Sequence, residues 1–505
     1  MVDEILKSDA DPTIKELLKQ LTETVKKLQS TIEHQTKIIE NQTKVIEQKD
    51  EELRELKRLL FGRKSEKMPP IQREVKRAKK KSSSTDRDKT KEKRAKNAKV
   101  KAELPTEEIE HEVEESDCRC PHCGGTEYVP LGGGDISDEY EFVPAKFVKR
   151  RHIRRKMACK CGAHIITAPA PQRVSDGVQY GPGFHSQVVV AKCADAIPLN
   201  RQAKQISRIG IPMGRSTLCD IFHRSASLLE PLSDRIMEKI KASDYINADE
   251  TSIGIQDGTK AYVWNFSTDK YVGYVFSNSR SGETPKRVLG DSNGFLQVDQ
   301  YSGYNQVTTP NKRTRVGCLA HMRRKFFEAQ DTAPEDCRWM LRKILELYIV
   351  EYDAAEMGFL GTDKHLAMRK ARSKKILAKM KNWLEEREDR WTPKSKMGKA
   401  VNYATKNWES LTKFLEDPKL RLDNNLSERM LRMIALGRKN FLFVGNRKAG
   451  ENLAALQTLV STCEYLGVNP QEYLADVIIR IQTHPASDID ELLPDKWKPP
   501  DQSDQ

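Results

Sequence analysis

Apolar positions recur with a period of seven near the start of the chain. Residues 14–61 contain no Pro or Gly, and one heptad position is apolar throughout: Leu18, Val25, Ile32, Ile39, Ile46, Leu53 and Leu60. The second core position is Leu in the outer repeats but polar in the middle, at Gln35, Gln42 and Lys49. This pattern predicts a coiled coil over residues 14–61. We expect a parallel homodimer, with pairing to a different chain as the alternative.

A helical pattern resumes after residue 181. Residues 184–196 are mostly apolar, and residues 201–208 and 216–229 read as two further helices around a turn that contains Gly210. This arrangement favours a helix-turn-helix, with Ser216 as N-cap and with Arg215, Ser216 and Thr217 facing DNA bases. Plain packing of two helices is the alternative.

From residue 245 the pattern changes to strands. Three segments, 245–251, 261–267 and 271–277, read as a meander, and a helix near 284–289 precedes a fourth strand at 295–299. The first strand carries Asp249 and the fourth carries Asp299. This order is that of a ribonuclease-H-like sheet, in which acids at the ends of adjacent strands can share a divalent metal ion.

A third acid follows a long segment of helical pattern. Residues 336–414 are mostly helical, and then Asp423 or Asn424 can cap a helix that carries Glu428 one turn in. A basic stretch follows, with Arg429, Arg432, Arg438, Lys439 and Arg447. Paired Mg²⁺ ions need several carboxylate oxygens close together, so Glu428 is the candidate that completes the site.

Cysteines cluster in one short region. Five of the ten are Cys118, Cys120, Cys123, Cys159 and Cys161. Cys120 and Cys123 form a knuckle followed by two glycines, and Cys159 and Cys161 form a shorter pair. Four thiolates predict a zinc ribbon with structural Zn²⁺, in which Cys118 or His122 could replace one ligand. Reduced structural cysteines are the alternative.

The remaining cysteines are isolated, and we expect four of these five to be small core residues. Cys318 differs because it starts a basic helix that carries His321. The pair is either a core cysteine with a helix-capping histidine or a site-flanking pair that positions DNA or the helical insertion. We do not assign zinc to it.

The net charge, its distribution and the lack of long apolar runs limit the classes of protein that fit this sequence. The 505 residues carry a net charge of +14, and residues 62–101 alone hold +12 of it. That segment has almost no apolar residue, which predicts a disordered linker that either solubilises the chain or binds phosphate backbones. No apolar run approaches a membrane span, and the N-terminus lacks a signal-peptide pattern. We therefore expect a soluble, cytoplasmic protein with DNA as its partner and no membrane association.

These motifs together resemble one family of insertion-sequence transposases of the DDE class, the family numbered sixty-six. The resemblance rests on motifs in a fixed order: residues 59–67, the cysteine ribbon, 198–202, 248–251, 298–304, 318–326, 423–429 and 437–443. It implies that Asp249, Asp299 and Glu428 bind the catalytic Mg²⁺ (or Mn²⁺). It also implies a helical insertion between Asp299 and Glu428.

The expected fold is a multidomain α/β protein with a ribonuclease-H-like core. The predicted parts are a coiled coil (14–61), a basic linker (62–117), a zinc-ribbon-like module (118–175), a helix-turn-helix region (176–243), the first part of the core (244–330), a helical insertion (331–420), the last part of the core (421–470) and a C-terminal tail (471–505).

The expected activity is cleavage at the ends of the element and strand transfer to a target. The ribbon, the helix-turn-helix and Arg429, Arg432, Arg438 and Lys439 would contact DNA, and companion proteins of the same element could take part. A non-catalytic DNA-binding regulator and a two-metal nuclease on structured DNA are the alternatives.

Overall fold

The computed structural model describes residues 147–158, 165–175, 179–310, 312–388 and 390–499, with scattered positions between 20 and 42. The chain divides into two compact units, residues 1–82 and 83–505. In the first unit the described positions are helical and exposed, including Val25 and Ile32. Pairing as a coiled coil stays a prediction. The predicted linker and the four candidate zinc ligands Cys120, Cys123, Cys159 and Cys161 lie outside the described residues.

The strands of the second unit form a hairpin and a mixed sheet. The hairpin pairs β1 with β2 in antiparallel register, and the sheet has the order β5-β4-β3-β6-β7 with β8 beside β3. β3, β4 and β5 are antiparallel neighbours, whereas β6, β7 and β8 are parallel to the strands they join. The predicted meander, helix and fourth strand are confirmed. The bounds are β1 Lys156–Ala158, β2 Ile165–Thr167, β3 Tyr245–Ile255, β4 Lys260–Ser267, β5 Val272–Ser277, β6 Gly294–Gln297, β7 Arg313–Val316 and β8 Phe443–Val444.

Thirteen α-helices surround and extend this sheet within the described residues. Their bounds are α1 Pro182–Cys193, α2 Leu199–Arg208, α3 Arg215–Lys241, α4 Glu283–Leu289, α5 Leu319–Glu328, α6 Pro334–Glu356, α7 Asp363–Met368, α8 Lys374–Glu385, α9 Lys396–Lys406, α10 Trp408–Thr412, α11 Asn425–Phe441, α12 Arg447–Leu466 and α13 Pro470–Arg480. In the described part of the chain, none of the helices has the length and apolarity that crossing a membrane requires.

The core of the second unit lies between the sheet and its helices. β4 is buried along almost its whole length, including Trp264 and Phe266. β5 is an edge strand, and α12 covers that edge with two hydroxyl groups. Thr462 Oγ1 accepts a hydrogen bond from the Val272 N–H (3.2 Å), and Thr458 Oγ1 accepts one from the Tyr274 N–H (2.9 Å). The edge donors are therefore satisfied without a further strand.

The second helix of the predicted helix-turn-helix is much longer than expected. α3 begins at Arg215, with Gly214 rather than Ser216 as its N-cap, and continues to Lys241. Its buried side chains run from Leu218 to Ile240 and join the main core. Arg215 and Ser216 in its first turn are exposed, and the remainder of the helix packs against α12 and β5.

The helical insertion is organised around one buried guanidinium. Arg369 is 1% exposed and pairs with Glu351, whose Oε2 lies 2.6 Å from its Nη2. The same guanidinium donates to the carbonyls of Phe414 (2.8 Å) and Leu420 (2.8 Å). These bonds fix residues 414–420, which lead back to the sheet, to α6. They also satisfy the buried guanidinium, which would be costly to bury unpaired.

The predicted C-terminal tail is wrong for most of its length. Tyr473, Leu474, Val477 and Ile478 of α13 are fully buried in the main core. α13 packs on α1, where Ser186 Oγ donates to the Gln471 carbonyl (2.7 Å). A 3₁₀ turn, Ala486–Leu492, follows, and there Asp490 pairs with Arg235 (2.6 Å) and Lys239 (2.7 Å) of α3. The apolar spacing of α13 makes it part of the folded body.

Candidate active site

Two of the predicted acids lie side by side because β3 and β6 are parallel neighbours. Asn247 is registered with Gln297, and the same register continued by two residues places Asp249 beside Asp299. β6 ends at Gln297 whereas β3 continues, so Asp249 lies within its strand rather than at the strand end that the sequence suggested. Asp299 accepts a hydrogen bond from the Tyr301 N–H (2.9 Å). Both carboxylates therefore lie where β6 leaves the sheet.

The third acid is brought to the same point by α11. Asn424 is the N-cap residue of this helix, but its side chain donates to the Ala248 carbonyl (2.7 Å) instead of capping the helix. Its backbone N–H lies 3.3 Å from Cys318 Sγ and donates to it. The first bond ties the start of α11 to β3 directly beside Asp249, and the second ties it to the residue that precedes α5. Glu428, one turn further along, is thereby held at the site.

Electrostatics show that the three acids act on one another. The pKa of Asp249 is raised to about 8, first by burial and then by the charges of Glu250, Asp299 and Glu428. A hydrogen bond from the Glu250 N–H (2.9 Å) opposes this rise only in part. A carboxyl group whose pKa is raised by burial and by neighbouring acids is a candidate functional group.

A fourth acid, Glu250, was not singled out from the sequence. Its side chain is only 1% exposed, and its Oε1 accepts hydrogen bonds from Arg280 Nε (2.8 Å) and Nη2 (2.6 Å). Tyr304 donates to the other oxygen (2.7 Å). Glu250 therefore orients a half-exposed guanidinium next to the acids. The one sequence signal that could have identified Glu250 was its position directly after Asp249, because its partners Arg280 and Tyr304 lie far away in the chain.

The pair Cys318 and His321 flanks the third acid. His321 Nε2 lies 3.8 Å from Glu428 Oε1, and Arg324 Nη2 lies 4.0 Å from Glu428 Oε2. Burial lowers the pKa of His321, and the charges of Glu428 and Asp299 oppose that shift. Within the described residues, His321 Nδ1 and Glu428 Oε1 are buried atoms without a hydrogen-bond partner. On this side of Glu428, two buried polar atoms are thus available to bind a further ligand.

The donor atoms fit two kinds of metal unequally. Asp249, Asp299 and Glu428 offer only oxygen atoms, which are the ligands that Mg²⁺ prefers. One ligand atom each from Cys318, His321 and Glu428 also lies within 4.8 Å of the others. However, burial raises the pKa of the Cys318 thiol to about 12, and its sulfur already accepts the Asn424 N–H. We therefore assign Cys318 a structural role.

The predicted DNA-contacting residues differ in what their side chains contact. Arg215 and Ser216 are exposed in the first turn of α3, and Thr217 is half-buried there. Arg429, Arg432 and Lys439 are exposed on α11. Arg438 instead donates from Nη1 to the Ser252 carbonyl (2.5 Å), so this guanidinium joins α11 to β3.

Four of the five isolated cysteines are buried, as many as expected, but the four include Cys318 and not Cys219. Of the five, Cys193, Cys318, Cys337 and Cys463 are buried, and Cys219 is partly exposed. Burial raises the pKa of the Cys193 thiol to about 12 and that of Cys337 to about 11. These thiols are therefore small core side chains, as predicted.

The structure defines the protein as a mixed α/β protein with a central mixed sheet and many helices. Sequence comparison identifies its family. Residues 177–452 match the profile described as Transposase IS66 family, and residues 458–494 match the IS66 C-terminal element. Residues 117–162 match the zinc-finger binding domain of transposase IS66. The match at 117–162 supports structural zinc at the cysteine cluster.

Relatives from Sinorhizobium fredii are similar along most of the chain. The chain is 32% identical over 419 residues to the uncharacterized protein y4jD, covering 78% of this chain and 81% of the relative. It is 30% identical over 418 residues to the uncharacterized protein y4hP, covering 77% and 75% respectively. The chain belongs to the IS66 transposase family. The transposase named by the profile is thus the broad role of the protein.

Proposed function

We propose that this protein is a DDE transposase that cleaves the ends of its insertion sequence and joins them to target DNA in a magnesium-dependent reaction. The observation that carries the proposal is that Asp249, Asp299 and Glu428 lie near enough to interact: burial first, and then the charges of Glu250, Asp299 and Glu428, raise the pKa of Asp249. The sheet order, three antiparallel strands followed by parallel ones, supports a ribonuclease-H-like core.

The three carboxylates would hold the metal ions. When bound there, Mg²⁺ would lower the pKa of an attacking water or 3′-hydroxyl and stabilise the leaving oxygen of a phosphodiester. Asp249 would release its proton to solvent on becoming a metal ligand, because a nearby positive charge favours the ionised carboxyl group. Asn424 holds α11 against β3, so that Glu428 keeps its place during this change.

Arg280 is the candidate to position the DNA strand. Its guanidinium is 46% exposed, lies 4.1 Å from the centroid of the Tyr301 ring and is held by Glu250. A guanidinium fixed on one side can present its remaining donors to a phosphate oxygen. Because no covalent protein–DNA intermediate is required, the same site can serve cleavage and strand transfer in turn.

The other modules would bring the DNA to this site. The zinc-ribbon-like module and the first turn of α3 would recognise the terminal inverted repeats, and the exposed arginines of α11 would hold the phosphate backbone. Dimerisation through residues 14–61 would hold two ends together. Companion proteins of the element remain possible participants in this proposal.

The test is the Asp249→Asn variant of the full chain. We expect it to bind a labelled element end as the wild type does but to lose Mg²⁺-dependent nicking, because one carboxylate ligand is gone. The control is Asp269→Asn, which alters an exposed carboxylate in the turn between β4 and β5. Nicking by Asp249→Asn in Mg²⁺ at the wild-type rate would show the assignment to be wrong.

Adding a supercoiled target separates the alternatives. A transposase joins the labelled end to the target. A regulator binds the end specifically but never nicks in Mg²⁺. A nuclease on structured DNA cleaves by shape and transfers no strand.

A further inference from the structure

The exposed surface that follows Glu428 has a regular composition. Along α11 the exposed positions recur at helical spacing, and the basic stripe is defined as Arg429, Arg432, Leu436 and Lys439. From residue 429 to residue 450 the chain contains no Asp or Glu. Within the described part of the chain, Arg429, Arg432 and Lys439 form no ion pair. The stripe begins beside a catalytic acid and runs away from it along one helix face.

The stripe ends at two exposed apolar side chains, Leu442 and Phe443, named here the wedge. Leu442 is 66% exposed and Phe443 is 44% exposed. Leu436, within the stripe, is also 44% exposed. Charged residues alone would be enough for solubility. Three large exposed apolar side chains on an otherwise basic surface therefore indicate a binding surface.

Backbone geometry holds Leu442 outward. It has φ 64° and ψ −49°, close to the γ-turn with positive φ, which is rare and strained for a residue with a side chain. Ala196 is the other non-glycine residue with positive φ among those described, and it is buried. Leu442 is thus a bulky exposed residue in a conformation that suits glycine. Strain of this kind is maintained where function uses it.

The wedge stands on a rigid support. Phe443 is paired with Gly254 of β3, and Val444 with Ile255. The Leu442 N–H donates to the Arg438 carbonyl (3.0 Å), and Arg438 itself is bonded to β3. β3 is the strand that carries Asp249. The position of the wedge relative to the acids is therefore fixed by the sheet.

We propose that Leu442 and Phe443 insert between base pairs of the bound DNA end and unstack them, while the basic stripe holds the phosphate backbone. Apolar side chains flanked by Arg and Lys are the means by which DNA-bending proteins kink a duplex. A phosphate backbone complements this surface, because residues 429–450 contain basic side chains and no acid. The inference rests on the proposed function, since it assumes that DNA lies over the acids.

Helix geometry gives the place of the kink. Glu428 and Leu442 are separated by 14 residues, which corresponds to about 20 Å along a helix, or about six base pairs. The cleaved phosphodiester would lie at the acids, and the unstacked step would lie about six base pairs from it. Distortion there would bend the duplex toward β3.

The experiment uses the full chain and element-end duplexes with 2-aminopurine at successive positions, in Ca²⁺ so that the DNA is bound without turnover. With the wild type, we expect fluorescence to rise at one step near the calculated position, because unstacking relieves quenching. Leu442→Gly should lose that rise while keeping the salt dependence of binding, which the phosphate contacts determine. Phe443→Ser should act in the same direction.

Leu360→Gly is the matched control, because Leu360 is an exposed leucine (55%) in the helical insertion. It should keep the fluorescence rise. Thermal unfolding distinguishes a DNA-binding role from a structural one. Leu442→Gly relieves backbone strain, so its melting temperature should equal or exceed that of the wild type.

Each remaining outcome is decisive. A lower melting temperature for Leu442→Gly would mean that Leu442 packs against protein, either this chain or a second copy, and would overturn the inference. A wild-type chain that binds the end with no fluorescence rise at any step overturns the wedge and leaves the proposed function standing. A chain that does not bind element ends overturns both.

Discussion

Asp249 illustrates what the sequence can and cannot reveal about single residues. Its candidacy came from an acid on a strand, next to another strand that ends in an acid, and the register of β3 and β6 places these two acids side by side. The sequence did not reveal Arg280 and Tyr304, which hydrogen-bond to the adjacent Glu250, because they lie 30 and 54 residues away from it in the chain. No local pattern predicts such contacts. Asn424 was expected to cap a helix, but it joins that helix to β3 because Ala248 offers a buried carbonyl.

The raised pKa of Asp249 predicts a pH-dependent stability. The folded chain binds a proton there with a pKa of about 8, whereas an unfolded Asp titrates near pH 3.9. The stability that this proton confers is complete below about pH 4 and is lost as pH rises through 8. In EDTA, Asp249→Asn should therefore melt above the wild type at high pH, and the two should converge at low pH. Parallel melting curves across this range would contradict the shift.

At the scale of elements, the spacing of apolar residues predicted whether a segment is a helix or a strand better than it predicted where that segment ends. The strands of the sheet were found because their segments are short and apolar between turn residues. α3 was predicted to stop at residue 229, before Pro231, yet Leu232, Ile236 and Ile240 continue its buried face. Proline inside a helix usually ends it, but here tertiary burial outweighs that preference. The exposed first turn keeps Arg215, Ser216 and Thr217 as candidates for DNA contact.

Close packing of α12 on β5 gives a test at this scale. A Cβ added at Gly450 would lie 2.4 Å from the Phe276 ring, so Gly450→Ala should lower the free energy of unfolding by about 1–3 kcal/mol. A Cβ added at Gly183, in α1, would meet no atom within 4 Å. Gly183→Ala should therefore be neutral or stabilise by about 0.5–1 kcal/mol. Chemical denaturation of both variants measures the contrast, and equal destabilisation would refute the packing described.

For the whole molecule, sequence reasoning placed the boundary of the folded body too early. The signal was present, since Tyr473, Leu474, Val477 and Ile478 recur at helical spacing. The coiled coil, the linker and the zinc ligands, in contrast, rest on sequence alone, because they fall on residues whose placement the structure does not describe in full.

Ending the chain after residue 470 should abolish cooperative folding. It removes six large buried side chains, Tyr473, Leu474, Val477, Ile478, Leu492 and Leu493. At about 1.5–3 kcal/mol each, their loss is comparable to the whole stability of a domain, about 5–15 kcal/mol. Arg480→Ala, on the exposed side of α13, should change the melting temperature little. A truncated chain with a sharp wild-type-like transition would contradict the packing.

The contact between α1 and α13 also determines when the core can form during synthesis of the chain. About 280 residues separate Ser186 from Gln471, and at 5–20 residues per second a ribosome needs roughly 15–60 s to make them. During that interval the apolar faces of α1 and α3 exist without the helix that covers them. The nascent transposase therefore passes through a long incomplete state, and each molecule completes its core only after α13 has been synthesised. How many active copies a cell accumulates then depends on how well this exposed intermediate survives, as well as on how often the gene is translated.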